Sequence, residues 1–394
     1  MASTTAQPLR SRAFAARLNL GSTLRSQSST FYLILGTTVF LVVIGLVLVL
    51  SASSVESYLN DDGFYGKFLK QLLFATLGIP AMLVASRLPL VFWKKWTVLL
   101  VAIGAGAQLL VFTPLGVTEG GNTNWIRIGN IAAQPGELLK LGLALGLGIA
   151  FPRVIARYGD TRKVLMPLVF AAVVMGLVLL GGDLGTAIIM FLIVLGCMIY
   201  AGIRWRFILV PIAVAIVGFL FIAILSPNRV ARITTFFTTT CSVDNSLNWC
   251  WQPLHGTWAM ASGGFFGVGL GNSKMKWSWL PAADNDYIFA IIGEELGLLG
   301  CVVVLALVVI LAVGFLRVIK DATDPLIRIA TGGIMFWLIG QAFMNIAVVL
   351  GLIPVLGVPL PFISSGGTAL FTALGAVGVV LSFARHNERS RTLR

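Results

Sequence analysis

"FYLILGTTVFLVVIGLVLVLSAS", residues 31–53, runs for 23 residues without a charged side chain. A bilayer core of roughly 30 Å needs about 20 apolar residues in a helix, with a usual range of about 17 to 25. The stretch therefore reads as a membrane-spanning helix. It is too long for the apolar region of a cleaved signal peptide, about 7 to 15 residues, so an uncleaved first helix is expected after the Arg- and Ser-containing start. Nine further apolar runs follow, over 68–87, 96–114, 135–151, 163–181, 185–200, 207–225, 286–316, 326–352 and 368–383. The expected fold class is all-α, a polytopic membrane helix bundle of about ten transmembrane helices.

Composition agrees, with 58% hydrophobic residues against 11% charged. The net charge of +13 by itself suggests nucleic acid, and the placement of the charges rejects that. With the N-terminus inside and the segments alternating, the cytoplasmic segments hold 20 of the 28 Lys and Arg but 4 of the 15 Asp and Glu. This is the positive-inside pattern, and an even helix count returns the C-terminus to the same side. The expected organisation is a basic cytoplasmic tail over 1–30, a transmembrane domain over 31–384 with a long extracytoplasmic loop over 226–285, and a basic cytoplasmic tail over 385–394.

Cys197 and Cys301 fall in apolar helices, where a free thiol behaves as a small hydrophobe. Cys241 and Cys250 lie in the outer stretch "TTTCSVDNSLNWCW", close enough to pair in an oxidising compartment. A disulfide is expected there, and closing so short a loop stabilises by about 2 to 3 kcal/mol on the chain-entropy model.

Three outer segments carry the unusual chemistry. The first, "GVTEGGNTNWIRIGNIAAQPGELLKLG" over 116–142, is too short and polar to span and is expected at the membrane surface, ending with Pro135 at a first helical position. Glu137 and Lys140 follow three residues apart, so they share a helix face. Two readings stand: a local ion pair near lipid, or a site in which Lys140 faces an anionic group.

The second, over 226–285, holds Arg229, Arg232, the cysteine pair, His255 and a glycine-rich stretch with Lys274 and Lys276. No strand precedes those glycines and no P-loop or dinucleotide pattern is present, so they are read as backbone bends. Asp284 and Asp286 then precede a helical run, where one of them suits an N-cap. Glu294 and Glu295 lie about 12 Å further on, and carboxylates at membrane depth are functional candidates by default. At about 100° per residue, Glu294 lies some 80° around from Asp286 and Glu295 nearly opposite. Glu294 is thus expected to share a cavity with Asp286, and Glu295 to pair with Gln341 or Asn345.

The third, "GLIPVLGVPLPFISSGGTAL" over 351–370, strings three prolines before Ser364 and Ser365. Such backbone is tolerated at membrane depth only beside protein or a water-filled cavity. With Asp183 in "GGDLGT", it is expected to converge on one extracytoplasmic cavity.

These segments resemble the SEDS family (shape, elongation, division and sporulation) of bacterial cell-wall proteins, which includes FtsW, RodA and SpoVE. The resemblance covers nearly all the spans and is carried by "LVLSAS", "NWIRIG" followed by "QPGELLK", "DLGT", "SGGFFGVGLGNSKMKWSWLPAADNDYIFAIIGEELG" and "GLIPVLGVPLPFISSGG". The basic N-terminal extension and "IIGEELG" are most similar to the FtsW branch. The chain departs from the family pattern at Gly136, Gly182, His255 and Gly256, and before Trp125.

The resemblance implies a peptidoglycan glycosyltransferase that polymerises lipid II on the outer face of the bacterial plasma membrane, at the division septum. It implies a class B penicillin-binding protein and other division proteins as partners. The family's essential aspartate maps onto Asp286, the expected general base for an acceptor sugar hydroxyl. Lys140, Glu137, Arg229, Arg232, Lys274, Glu294, Ser364 and Ser365 are the expected substrate contacts. Lys140 and Arg229 are favoured for the leaving pyrophosphate, and a divalent cation, Mg or Mn, is the alternative stabiliser. The competing functions are a lipid II flippase and a non-catalytic division scaffold.

Overall fold

The computed structural model describes residues 27–59, 63–119, 122–129, 131–158, 164–224, 227–238 and 250–392. Each of the ten apolar runs is a helix: α1 (Ser29–Leu59), α2 (Gly66–Ala85), α3 (Leu90–Leu110), α4 (Pro135–Tyr158), α5 (Leu165–Leu180), α6 (Leu184–Tyr200), α7 (Trp205–Ile224), α10 (Ile288–Lys320), α11 (Pro325–Val349) and α12 (Gly367–Thr392). Eight are long and apolar enough to cross a membrane, while α5 and α6 are shorter apolar helices. At 1.5 Å per residue those two reach about 24 to 26 Å, just under the hydrocarbon thickness.

The most deeply buried helices are α4, α6, α11 and α12: α4, α6 and α11 pack together, and α12 packs against α2 and α1, while α10 joins α11 to α1. Leu139, Leu143, Ile189, Ile193, Ile334 and Leu338 are buried in α4, α6 and α11, while α7 turns Leu209, Val214, Val217 and Phe221 outward. Apolar side chains on the outside are what a lipid solvent demands. α12 continues beyond residue 384, and the Glu388 carboxylate accepts a hydrogen bond from the Ser28 N–H.

Two features of the connections differ from the sequence expectation. The surface segment before α4 contains a three-stranded antiparallel sheet, β1 (Gly116–Glu119), β2 (Asn122–Ile128) and β3 (Ile131–Ala133), in the order β1-β2-β3. Strands this short pair only locally, and β2 docks on the bundle where the Thr123 N–H donates to the Gly181 carbonyl. The long loop over 226–285 contains two helices, α8 (Pro227–Thr238) and α9 (Trp251–Gly263). Cys250 is buried and disulfide-bonded, Cys197 and Cys301 are free, and Cys241 lies outside the described residues.

The third difference is a break in α10. Gly297 sits at φ 66°, ψ −163°, so the helix stops and restarts there. The carbonyls of Glu294 and Glu295 accept from the N–H groups of Val268 and Gly269, and the N–H groups of Leu298 and Leu299 donate to Gly264 and Phe265. The glycine-rich loop thus satisfies backbone groups that a broken helix would otherwise leave orphaned at membrane depth. A Cβ at Gly297 would lie 2.6 Å from the Phe265 carbonyl oxygen in addition to its unfavourable φ. Gly297→Ala is therefore expected to destabilise by on the order of 2 to 3 kcal/mol, read as a lower midpoint in detergent thermal unfolding. A parental midpoint would show that the loop and helix do not depend on this crossing.

Candidate active site

The connections α3–α4, α5–α6, α7–α10 and α11–α12 meet at one end of the bundle and enclose a cavity of about 570 Å³. Its polar wall carries Glu137, Lys140, Asp183, Arg232, Asp286, Gln341 and Ser365, and its apolar wall Ile188, Ile216, Phe219, Leu220 and Ile233. Polar groups on one side and apolar groups from α6, α7 and α8 on the other suit an amphiphilic ligand.

Pro135 opens α4, so Glu137 and Lys140 lie in its first two turns and face inward. Lys140 Nζ lies 2.7 Å from Glu137 Oε1, donates to Gln341 Oε1 at 3.2 Å and sits 4.9 Å from the Trp337 ring centroid. Both charged residues are buried. Gln341 is fixed in turn: Trp337 Nε1 donates to its Oε1, and its Nε2 donates to the Pro359 carbonyl. The ion-pair reading of Glu137 and Lys140 therefore holds, and the pair also lines the cavity.

Asp183 caps α6, accepting from the Thr186 N–H at Oδ1, while Oδ2 accepts from Asn124 and Gln134 at 2.9 and 2.7 Å. It ties β2 and the α4 entry to α6.

Asp286 lies outside α10, whose N-cap is Tyr287 with no side-chain capping bond, so neither Asp284 nor Asp286 caps the helix. The backbone leading to Asp286 is gripped at three successive carbonyls. Ser365 N–H donates to Asp284, Ser364 Oγ to Asn285 and Asn345 Nδ2 to Asp286. Asp286 Oδ1 is buried with no protein partner. Gly357 lies beside its carboxyl, where a Cβ would meet Oδ2 in ordinary contact at 3.5 Å, and its φ of 70° is what calls for glycine. Burial pushes the Asp286 carboxyl up to about 6, with Arg232 opposing and the negative charges of Asp284 and Asp183 assisting.

The other expected contacts divide. Arg232 and Ser365 line the cavity with Asp286, Glu137 and Lys140. Ser364 faces away, its Oγ occupied by the Leu360 N–H and the Asn285 carbonyl. The Arg229 side chain lies outside the described residues. Lys274 is exposed and does not line the cavity.

Glu294 does not share the cavity with Asp286; it accepts from Ser273 Oγ and the Lys274 N–H. Glu295 pairs with Ser51 and Lys276 and not with Gln341 or Asn345. The angular argument failed because α10 starts after Asp286, so the two residues share no helix. Both glutamates fasten the glycine-rich loop to α10. His255 is a satisfied core residue, stacked on Trp251 with Nδ1 2.8 Å from the Trp251 carbonyl. Asn124, Gln134 and Lys67 were not singled out from the sequence.

Among the described residues no group of three or more His, Cys, Asp and Glu could hold a metal ion. Asp183 is committed to Asn124, Gln134 and Thr186, and Glu137 to Lys140 and Thr372. The donors do not fit a resident divalent cation, and no step is derived through one.

The family model for the cell cycle proteins FtsW, RodA and SpoVE matches residues 31–389. The chain belongs to this family. It is 36% identical over 373 residues to a Mycobacterium tuberculosis protein named probable peptidoglycan glycosyltransferase FtsW, covering 94% of this chain and 70% of that protein. It is 34% identical to the Bacillus subtilis stage V sporulation protein E, covering 89% and 95%. Among solved structures, a chain of a peptidoglycan synthase complex coordinating polymerization and crosslinking superposes with a TM-score of 0.72 at 24% identity, covering 90% and 97%. Thermus thermophilus RodA superposes with a TM-score of 0.67 at 24% identity, covering 93% and 99%. The FtsW/RodA/SpoVE family fold is thus a membrane helix bundle in this chain as well.

Proposed function

We propose that this membrane protein is a peptidoglycan glycosyltransferase that polymerises lipid II, with Asp286 as the general base. The observation that carries this reading is the Asp286 carboxyl: one oxygen buried and unpartnered, raised to about 6, in a cavity that also presents Lys140 and Arg232. A base with a pKa near working pH combines a useful ionised fraction with proton affinity. Asp286 takes the proton of the acceptor sugar hydroxyl as its oxygen bonds to the donor anomeric carbon. The anomeric carbon–oxygen bond to the pyrophosphate breaks, and undecaprenyl pyrophosphate leaves. Lys140 and Arg232 offset the charge developing on it. The apolar wall from α7 and α8 takes the start of the lipid chain.

Homologues named FtsW and the likeness to a synthase chain support action in the bacterial plasma membrane at the septum. They likewise support a class B penicillin-binding protein and further division proteins as partners. The charge asymmetry supports both termini in the cytoplasm and the cavity on the outer face.

The test is polymer formation from lipid II as a function of pH. The base must be ionised, so the rate is expected to be level above pH 7 and to fall tenfold per pH unit below a limb near 6. A limb near pH 4 would assign the base to an ordinary carboxylate.

A further inference from the structure

The first turns of α2 carry the polar residues Lys67, Lys70 and Gln71, and of these Lys67 and Gln71 lie one turn apart. Lys67 stands where the helix dipole disfavours a cation, and Gln71 is buried. Each reaches a segment of the active site. Lys67 Nζ lies 3.1 Å from Asp284 Oδ2 and 2.8 Å from Glu56 Oε2, and its N–H donates to Ser57 Oγ at the end of α1. Gln71 Nε2 donates to the Ser364 carbonyl, and its Oε1 accepts from the Gly366 N–H. Asp284 is buried two residues before Asp286, and its own carbonyl accepts from Ser365.

We propose that Lys67 is a positioning residue for Asp286: it holds the Asp284 carboxylate, and through the backbone of 284–286 it fixes where the Asp286 carboxyl points. The inference rests on Asp286 being the base. Lys67 itself does not line the cavity and touches no reacting atom. An ordinary surface pair would matter little, but Asp284 is buried, and removing its cation leaves an uncompensated charge beside the base. That charge can be relieved only by moving the segment or by protonating Asp284, and Asp286 is displaced or its field altered in either case. Gln71 holds the facing Ser364–Gly366 turn from the same helix, so α2 aligns both segments of the polar wall, the one that leads to Asp286 and the one that carries Ser365.

The experiment is a double-mutant cycle on the full chain, with initial rates of glycan polymerisation measured against lipid II concentration. Lys67→Met and Asp284→Asn are each expected to lower kcat about tenfold with KM within twofold. The double variant is expected to fall no further than the worse single, since both remove one link. Lys67→Arg is expected to keep at least half the parental kcat. Where Lys67→Met does not fold, Lys67→Gln replaces it in the cycle. Losses that multiply to about a hundredfold, a rise in KM in place of a fall in kcat, or a parental rate for the charge-removed variant would each overturn the proposal. Asp286→Ala is run alongside. If it polymerises at the parental rate, the base assignment itself fails; if it is inactive while Lys67→Met is parental, the link from Lys67 alone fails.

Discussion

Asp286→Asn is expected to lower lipid II polymerisation by at least a hundredfold while the protein remains folded. General-base catalysis contributes about 10² to 10⁴ in rate, and the neutral amide keeps the shape of the carboxyl but takes no proton. The backbone that positions the residue is held by Ser364, Ser365 and Asn345 through main-chain carbonyls, so the substitution leaves those bonds intact. Stability is expected to move the other way. Folding raises this carboxyl from 3.8 to about 6, so its contribution to stability is greatest below pH 4 and is lost as pH rises through 6. At pH 7.5 the Asn variant should therefore unfold later than the parent, by on the order of 3 kcal/mol, and the gap should close as pH falls toward 4. A variant that is inactive yet more stable marks a site that holds a charge the fold disfavours.

Lys140→Met is expected to cost both stability and activity. The ammonium is buried against Glu137, Gln341 and the Trp337 face. Removing one partner of a buried pair typically costs about 3 to 5 kcal/mol, because the other charge is left without compensation. Glu137→Gln/Lys140→Met removes both charges and should recover most of the thermal midpoint in detergent. Activity should not recover with it, since a cation facing the leaving pyrophosphate is still missing. Recovery of both would make the pair purely structural.

The bundle was legible because a lipid solvent forces long apolar runs, and each of the ten is a helix. Asp286, Glu137, Lys140, Arg232 and Ser365 were legible as charged or hydroxyl residues beside glycines and prolines at one end of those runs. What was not legible follows from assuming regular helices. Glu294 was placed by rotation along a helix that begins only at Ile288 and breaks at Gly297. The signals for the missed elements were weak but present. β2 alternates around buried Ile126 and exposed Arg127, and α8 carries Val230, Ile233 and Phe237 at helical spacing after Pro227. Lys67 gave no local sign, since its partner Asp284 lies 217 positions away and only the packing of α2 against the outer loops unites them.

The central claim is polymerisation on a lipid-linked substrate, and one measurement separates it most directly from lipid transport. Purified protein is reconstituted with the class B penicillin-binding protein proposed as its partner into vesicles holding labelled lipid II, and glycan polymer and label translocation are followed in the same sample. Polymer formation that disappears in the Asp286→Asn variant is the predicted result. Label crossing the bilayer with no polymer formed would contradict it.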